Sequence, residues 1–194
     1  MSRIAPLVCA LVLGFASGAE AQSAAVSDAG AQAWVRIFAV ASHPRCTNCH
    51  VGASGRPAWD GLGYGATKLH GMNIVAGDSR IGAETIPCRT CHIGAVGPND
   101  RPHAAPQVDD AWRLPPVELA WRGKSGAEVC AQLRNPETND GFDLADLIDH
   151  VRTSEFVRYG FEPGAGRTPA AGSTATLAKD LQAWGDAGMP CPQD

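Results

Sequence analysis

The sequence predicts a mainly α protein whose short helices are joined by long loops, and three observations predict it. Apolar residues recur at helical spacing in four stretches, Ser and Asp stand where helices begin, and strand-like alternation is sparse. Gly (22) and Pro (14) are plentiful while aromatic residues make up only 6 %, so much of the chain is loop and the core is short of aromatic area.

Residues 1–21 form a unit of their own. Arg3 precedes an apolar run from Ile4 to Ala16, followed by small residues and Ala19-Glu20-Ala21 ahead of Gln22, the layout of a cleavable secretory signal. The expected mature chain therefore starts near Gln22 in the periplasm. The apolar run is too short to cross a bilayer, and no later stretch approaches the roughly 20 apolar residues that a spanning helix needs. Cys9 lies inside that run with almost nothing before it, which disfavours a lipid anchor.

The first helix of the remaining chain is capped by Ser27 or Asp28 and runs to about Ser42, with Trp34, Ile37, Phe38 and Ala41 on one stripe. It leads into Cys46-Thr-Asn-Cys49-His50. A second copy, Cys88-Arg-Thr-Cys91-His92, follows at an offset of 42 residues, and each is continued by Val or Ile and then Gly-Ala-x-Gly. CxxCH is the attachment signature of a c-type haem: two thiols three positions apart form thioethers with one porphyrin, and the next residue brings its imidazole to the iron. His50 and His92 are thus expected as proximal ligands of two covalently attached haem c groups. Paired CxxC units also hold zinc, but usually about 15–20 residues apart and with no histidine required after the second cysteine. Here 38 residues intervene between Cys49 and Cys88. The shared glycines fit either duplication of a haem-binding segment or close passage of backbone beside a porphyrin.

An axial position on each iron remains to be filled, and the candidates are His43, His70, His103, His150, Met72 and Met189. His70 and His43 are favoured as distal ligands, with Met72 the rival to His70 from two positions away. The competing roles are an exposed loop histidine for His70 and a hydrogen-bonding role beside Cys46 for His43. His103, in a Pro-rich loop, and His150, near a helix end, read as structural. Gly61-Leu-Gly63-Tyr-Gly65 lacks the pattern and setting of a nucleotide loop and reads as a turn. Gly94 to Pro116 is rich in Pro, Gly and Asp and reads as loop.

The rest is helical. Ser125 and Glu128 form a candidate capping box for a helix that ends before Pro136. Asn135 to Asp143 is polar but lacks the ligand spacing of a calcium loop. Leu144, Leu147, Ile148 and Val151 make an apolar stripe, with Asp143, Asp146 and Asp149 on other faces as a solvated surface that can dock a basic partner. A last helix starts near Thr174, with Leu177, Leu181 and Trp184 facing inward and Gly185 to Pro190 ending it.

Seven cysteines, less Cys9 and the four of the motifs, leave Cys130 and Cys191, the expected disulfide pair in an oxidising compartment. The domain expectation is one unit over 22–194, haem-binding over about 28–110 and helical over about 111–194, in a cytochrome c-like arrangement. Net charge is −4 with no basic patch, which excludes a nucleic-acid role.

A wider pattern covers most of the expected mature chain: His43-Pro-Arg-Cys46-x-x-Cys49-His50, His70-x-Met72-Asn73, Pro87-Cys88-x-x-Cys91-His92, Leu114-Pro-Pro-x-x-Leu-Ala-Trp121, Cys130-x-Gln-Leu-x-x-Pro136, Pro163-Gly-x-Gly166-Arg167, and Trp184 to Cys191-Pro192. In this the chain resembles bacterial periplasmic dihaem c-type cytochromes and, more narrowly, proteins labelled as an isoquinoline 1-oxidoreductase subunit. The resemblance implies an electron acceptor for a periplasmic molybdenum hydroxylase or another periplasmic dehydrogenase, and adds weight to His43, His70 and the Cys130–Cys191 bridge. The function expected is single-electron transfer between such a partner and the respiratory chain. The alternative is a haem enzyme or ligand sensor with one open iron, which needs a distal acid–base set that the sequence does not display.

Overall fold

The computed structural model describes residues 17–60, 69–82, 86–93, 99–101, 104–108 and 111–193, with side chains described from residue 28 onward, Asn73 excepted. Among these residues the protein is mainly α: six helices, three short 3-10 turns and no strand beyond one isolated antiparallel bridge between Ala58 and Leu69. The helices are α1 (Ser17–Ala41), α2 (Pro44–Thr47), α3 (Gly126–Arg134), α4 (Leu144–Thr153), α5 (Glu155–Phe161) and α6 (Thr174–Asp186). None is long and apolar enough to cross a membrane.

Side-chain caps set the helix starts. Ser125 with Glu128, Asp143 with Asp146, and Ser173 with Thr176 each close a reciprocal capping box at the head of α3, α4 and α6. Asp143 and Asp146 are therefore not simply a displayed acidic face, because both carboxylates accept backbone N–H bonds, at 2.9 and 3.0 Å. Ser154 ends α4 by donating its N–H to the His150 carbonyl and starts α5 by accepting from Val157 N–H. Helix α1 begins well before Ser27. The Ala-rich stretch ahead of Ser27 has high helix propensity and carries the helix back through the expected cleavage point at Gln22.

The core lies where α1, α3, α4 and α6 meet. Ala33, Trp34, Ile37 and Ala41 of α1 pack with Val129, Cys130 and Leu133 of α3, Ile148 and Val151 of α4, and Ala178, Leu181 and Trp184 of α6. The Trp34 and Trp184 rings lie 5.2 Å apart at its centre, a geometry that adds to their burial energy. Gly185 lets α4 close onto α6, since a Cβ there would overlap the Leu144 side chain. A smaller cluster of Val51, Ala76 and Leu114 lies beside Cys49.

The C-terminal segment is bound back to this core. Cys130, fully buried in α3, is disulfide-bonded to Cys191 with Cα atoms 5.6 Å apart. Next to the bridge, Trp184 Nε1 donates to the Pro190 carbonyl at 2.9 Å. The remainder is loop whose carbonyls are bonded by buried arginines. Arg80 donates to the carbonyls of Val51 (3.1 Å) and Pro115 (2.8 Å), and Arg167 to those of Ala104 (2.6 Å), Arg101 (3.2 Å) and Pro163 (3.2 Å).

The bridge closes a loop of 61 residues in the unfolded chain. Replacing Cys130 and Cys191 together with Ser is expected to lower the unfolding free energy by roughly 4 kcal/mol on the chain-entropy account, read from urea unfolding curves of the two proteins. Gly185→Ala is expected to cost about 1–3 kcal/mol through overpacking against Leu144.

Candidate functional site

The first CxxCH motif is built on a helical turn. Pro44 starts α2, Cys46 lies within it, and the N–H groups of Cys49 and His50 both bond to the Cys46 carbonyl, at 3.1 and 3.0 Å. This winding brings the two thiols and the imidazole onto one side of a single turn. Asn48, between the cysteines and 6 % exposed, anchors the turn by exchanging side-chain bonds with the Asp60 backbone at 3.0 and 3.2 Å. The second motif repeats the device in a tighter form. Cys88–Thr90 is a 3-10 turn, and the N–H groups of Cys91 and His92 bond to the Cys88 carbonyl at 3.3 and 3.1 Å.

Both histidines are held in the same way. His50 Nδ1 lies 2.8 Å from the Leu119 carbonyl, and its ring stacks on Trp121 at 3.5 Å and 4°. His92 Nδ1 lies 2.6 Å from the Pro106 carbonyl, and its ring stacks on Trp112 at 4.0 Å and 15°. A carbonyl can only accept, so Nδ1 carries the proton in each ring and Nε2 keeps its lone pair. This is how a metal-ligating histidine is oriented by its surroundings. Burial lowers both pKa values to about 4 against the opposing pull of the carbonyl bonds, so both rings are neutral at pH 7.

None of the four motif cysteines is joined in a disulfide. Burial pushes the Cys46 thiol up to about 12 and Cys49 to about 11, and raises Cys88 as well. Cys49 lies close enough to Cys88 for charge on one to disfavour charge on the other, so the two motifs are neighbours in space. Zinc needs thiolates converging on one point. No group of three or more His, Cys, Asp or Glu side chains among the described residues does so.

A cavity of about 1070 Å³ opens beside the first motif, with Cys46, Cys49 and His50 in its wall. Aliphatic and aromatic side chains line most of it, among them Ile37, Leu114, Phe156 and Leu181. Cofactor-sized sites commonly fall at about 300–1,000 Å³ and are mostly apolar. Two lining residues, Arg45 and Trp121, each present a buried nitrogen with no partner, Nε and Nε1 respectively. A planar, mainly apolar group with anionic edges, covalently joined at the two thiols, fits this wall. The second motif has a different setting, with Cys91 exposed and Cys88 half-buried. Of seven exposed large apolar side chains among the described residues, five flank it or His70: Leu69 (48 %), Met72 (78 %), Ile81 (42 %), Ile86 (37 %) and Ile93 (55 %). Such a concentration of exposed apolar residues calls for something to cover it.

The favoured distal candidates part company. His70 lies with its ring centroid 6.3 Å from that of His92, and its Nδ1 lies 2.9 Å from the Gly71 carbonyl, so that Nε2 again keeps its lone pair. Its other neighbour is Trp59, stacked at 5.9 Å, where Gly71 permits the approach because a Cβ there would come within 2.8 Å of the indole. His43 sits at the N-cap of α2, its Nδ1 accepting the Arg45 N–H at 3.2 Å. That bond puts the ring proton on Nε2. Met72 is in a left-handed conformation (φ 57°). Met189 packs against the helical core beside the disulfide. His103, the Gly61–Gly65 turn, and the Gly94–Gly97 arm of the repeat lie outside the described residues.

Sequence reasoning missed the carbonyls of Leu119 and Pro106 and the backing tryptophans. The one available signal was that Trp112 and Trp121, two of the five tryptophans, fall in one stretch after the second motif. It also set aside His150, which lines the cavity. Compared with known families, curated proteins and solved structures, the chain matches none.

Neutral buried histidines make acid destabilising. With folded pKa values near 4 and an unfolded value of about 6.5, the unfolded chain binds more protons between those limits, so stability is full above about pH 6.5 and falls as pH drops toward 4. Urea midpoints of the haem-free chain from pH 7 to pH 4 should show this, with a flatter profile in His50→Asn. A wild-type midpoint constant over that range would contradict the assignment.

Proposed function

We propose that the protein is a periplasmic dihaem c-type cytochrome that relays single electrons. The observation that carries the proposal is the doubled arrangement in which a CxxCH turn presents a neutral imidazole whose Nδ1 is bonded to a carbonyl and whose face is backed by tryptophan. Haem iron held there would supply reversible one-electron chemistry between its ferric and ferrous states. Cys46 and Cys49, and Cys88 and Cys91, would anchor the two groups, with His50 and His92 as proximal ligands.

The chain's own residues are suited to that task. The carbonyl bonds of His50 and His92 keep the imidazoles from rotating when the charge of the site changes, which limits reorganisation. At the second site two imidazoles that shared one metal ion would have ring centres about 6 Å apart, given metal–nitrogen bonds of about 2 Å. The His70 and His92 centroids are 6.3 Å apart. In this reading His70, rather than Met72, would be the second ligand there. The exposed second motif offers an edge for electron exchange with a partner, and a molybdenum hydroxylase or another periplasmic dehydrogenase is the donor that the sequence resemblance suggests.

The test is to mature the exported protein with haem, count covalently bound haem, and record oxidised, reduced and carbon monoxide-treated spectra. Two haems per chain and a reduced spectrum unmoved by carbon monoxide are expected. A shift of about half the haem in the wild type would mark one open iron and favour an enzyme or sensor. His70→Ala is expected to open the second iron alone, seen as carbon monoxide binding to about half the haem.

A further inference from the structure

Resting on that dihaem reading, we infer that His150 is the sixth ligand of the iron at Cys46, Cys49 and His50. Among the described residues lining the cavity beside this motif, His50 and His150 are the only histidines, and there is no methionine and no lysine. His50 is the proximal group, so His150 is the one strong nitrogen or thioether ligand left in the wall. Tyr159 also lines the cavity, but its hydroxyl accepts a bond from Arg45 Nη1 at 3.3 Å.

The placement follows from helix geometry. Leu147, His150, Val151 and Ser154 line the cavity together, and their spacing of i, i+3, i+4 and i+7 is one face of a helix and its C-cap. His150 thus continues the face that α4 turns toward the cavity, while Ile148 packs into the helical core. Phe142 meets the His150 ring edge-on at 5.6 Å, a contact that restrains its orientation. His150 is an exposed residue that lines the cavity.

The competing ligands are committed elsewhere. His43 is absent from the cavity wall and uses Nδ1 as a helix cap. His70 belongs with His92. Met189 is packed in the helical core.

The experiment compares wild type, His150→Ala, His43→Ala and His150→Met, each matured with haem and checked for two covalent haems per chain. In His150→Ala about half the reduced haem is expected to bind carbon monoxide, with added imidazole restoring the wild-type spectrum, while His43→Ala matches wild type. His150→Met is expected to keep both irons six-coordinate and raise the potential of one haem, since axial methionine raises it relative to histidine. If His150→Ala fails to mature, His150→Met decides: potentials equal to wild type at both haems overturn the inference. It is likewise overturned by a wild-type spectrum from His150→Ala, or by an iron opened in His43→Ala. Those results leave the dihaem reading standing, whereas a wild type without covalent haem removes both.

Discussion

The segment from residue 104 to 122 is what the two sites depend on. It gives each CxxCH histidine one carbonyl acceptor and one indole face: Leu119 and Trp121 for His50, Pro106 and Trp112 for His92. A CxxCH turn alone fixes where the imidazole is attached but leaves its rotation and tautomer free. The carbonyl settles the tautomer and the stacked indole settles the plane. Because one stretch of chain serves both histidines, the spacing between the sites is set by that stretch as well as by the residues between the motifs. The contact runs both ways, since the N–H groups of Trp121 and Arg122 bond to the His50 carbonyl at 3.0 and 3.2 Å.

Such a segment has no ladder of its own to satisfy its backbone, and a buried carbonyl left unpaired is costly. Arginine resolves this because its planar fork serves several acceptors from one rigid group. Arg80, itself in a left-handed conformation (φ 62°), ties the chain after His50 to Pro115. Arg167 ties residues 101 and 104 to Pro163. Arg45 reaches the Asp60 carbonyl at 2.6 Å. The described loops at residues 51, 60, 101, 104, 115 and 163 are therefore tied by long-range side-chain donation, and the helical core of α1, α3, α4 and α6 supplies much of the cavity wall.

Legibility in the sequence follows the range of each interaction. Helices α3, α4 and α6 were readable because capping and amphipathic spacing are local, and the Cys130–Cys191 pair because the motifs account for the other cysteines. Helix α5 was not, since Ser154 ends one helix and starts the next with no breaker between them. The start of α1 was misjudged because a cap residue was given more weight than the helix propensity of the Ala-rich run before it. At the site, the CxxCH residues were fully legible, whereas their supporting carbonyls were not, since any backbone can supply one and only the fold decides which. The place of His150 in the cavity wall was missed for a related reason: its position near a helix end drew attention away from its spacing of three from Leu147, which puts it on the face that borders the cavity.

The two sites are alike at their CxxCH histidines and unlike in what surrounds them. The first opens into a cavity walled by α1, α4, α5, α6 and the 112–121 loop, while the second lies among exposed apolar side chains. For a redox centre this difference has a direct consequence, because burial and solvent access help to set the potential of a haem whose axial ligands are the same. Two bis-histidine irons would then differ in potential through environment alone. Trp112 stands between the environments: it stacks on His92 at 4.0 Å, lines the cavity of the first site, and is met edge-on by Phe156 and Tyr159 at 5.2 and 5.8 Å. On the reading proposed above, an electron entering at the exposed site is thus separated from the enclosed one by a packed aromatic wall rather than by solvent, and the loop that orients the two imidazoles is also the medium between them.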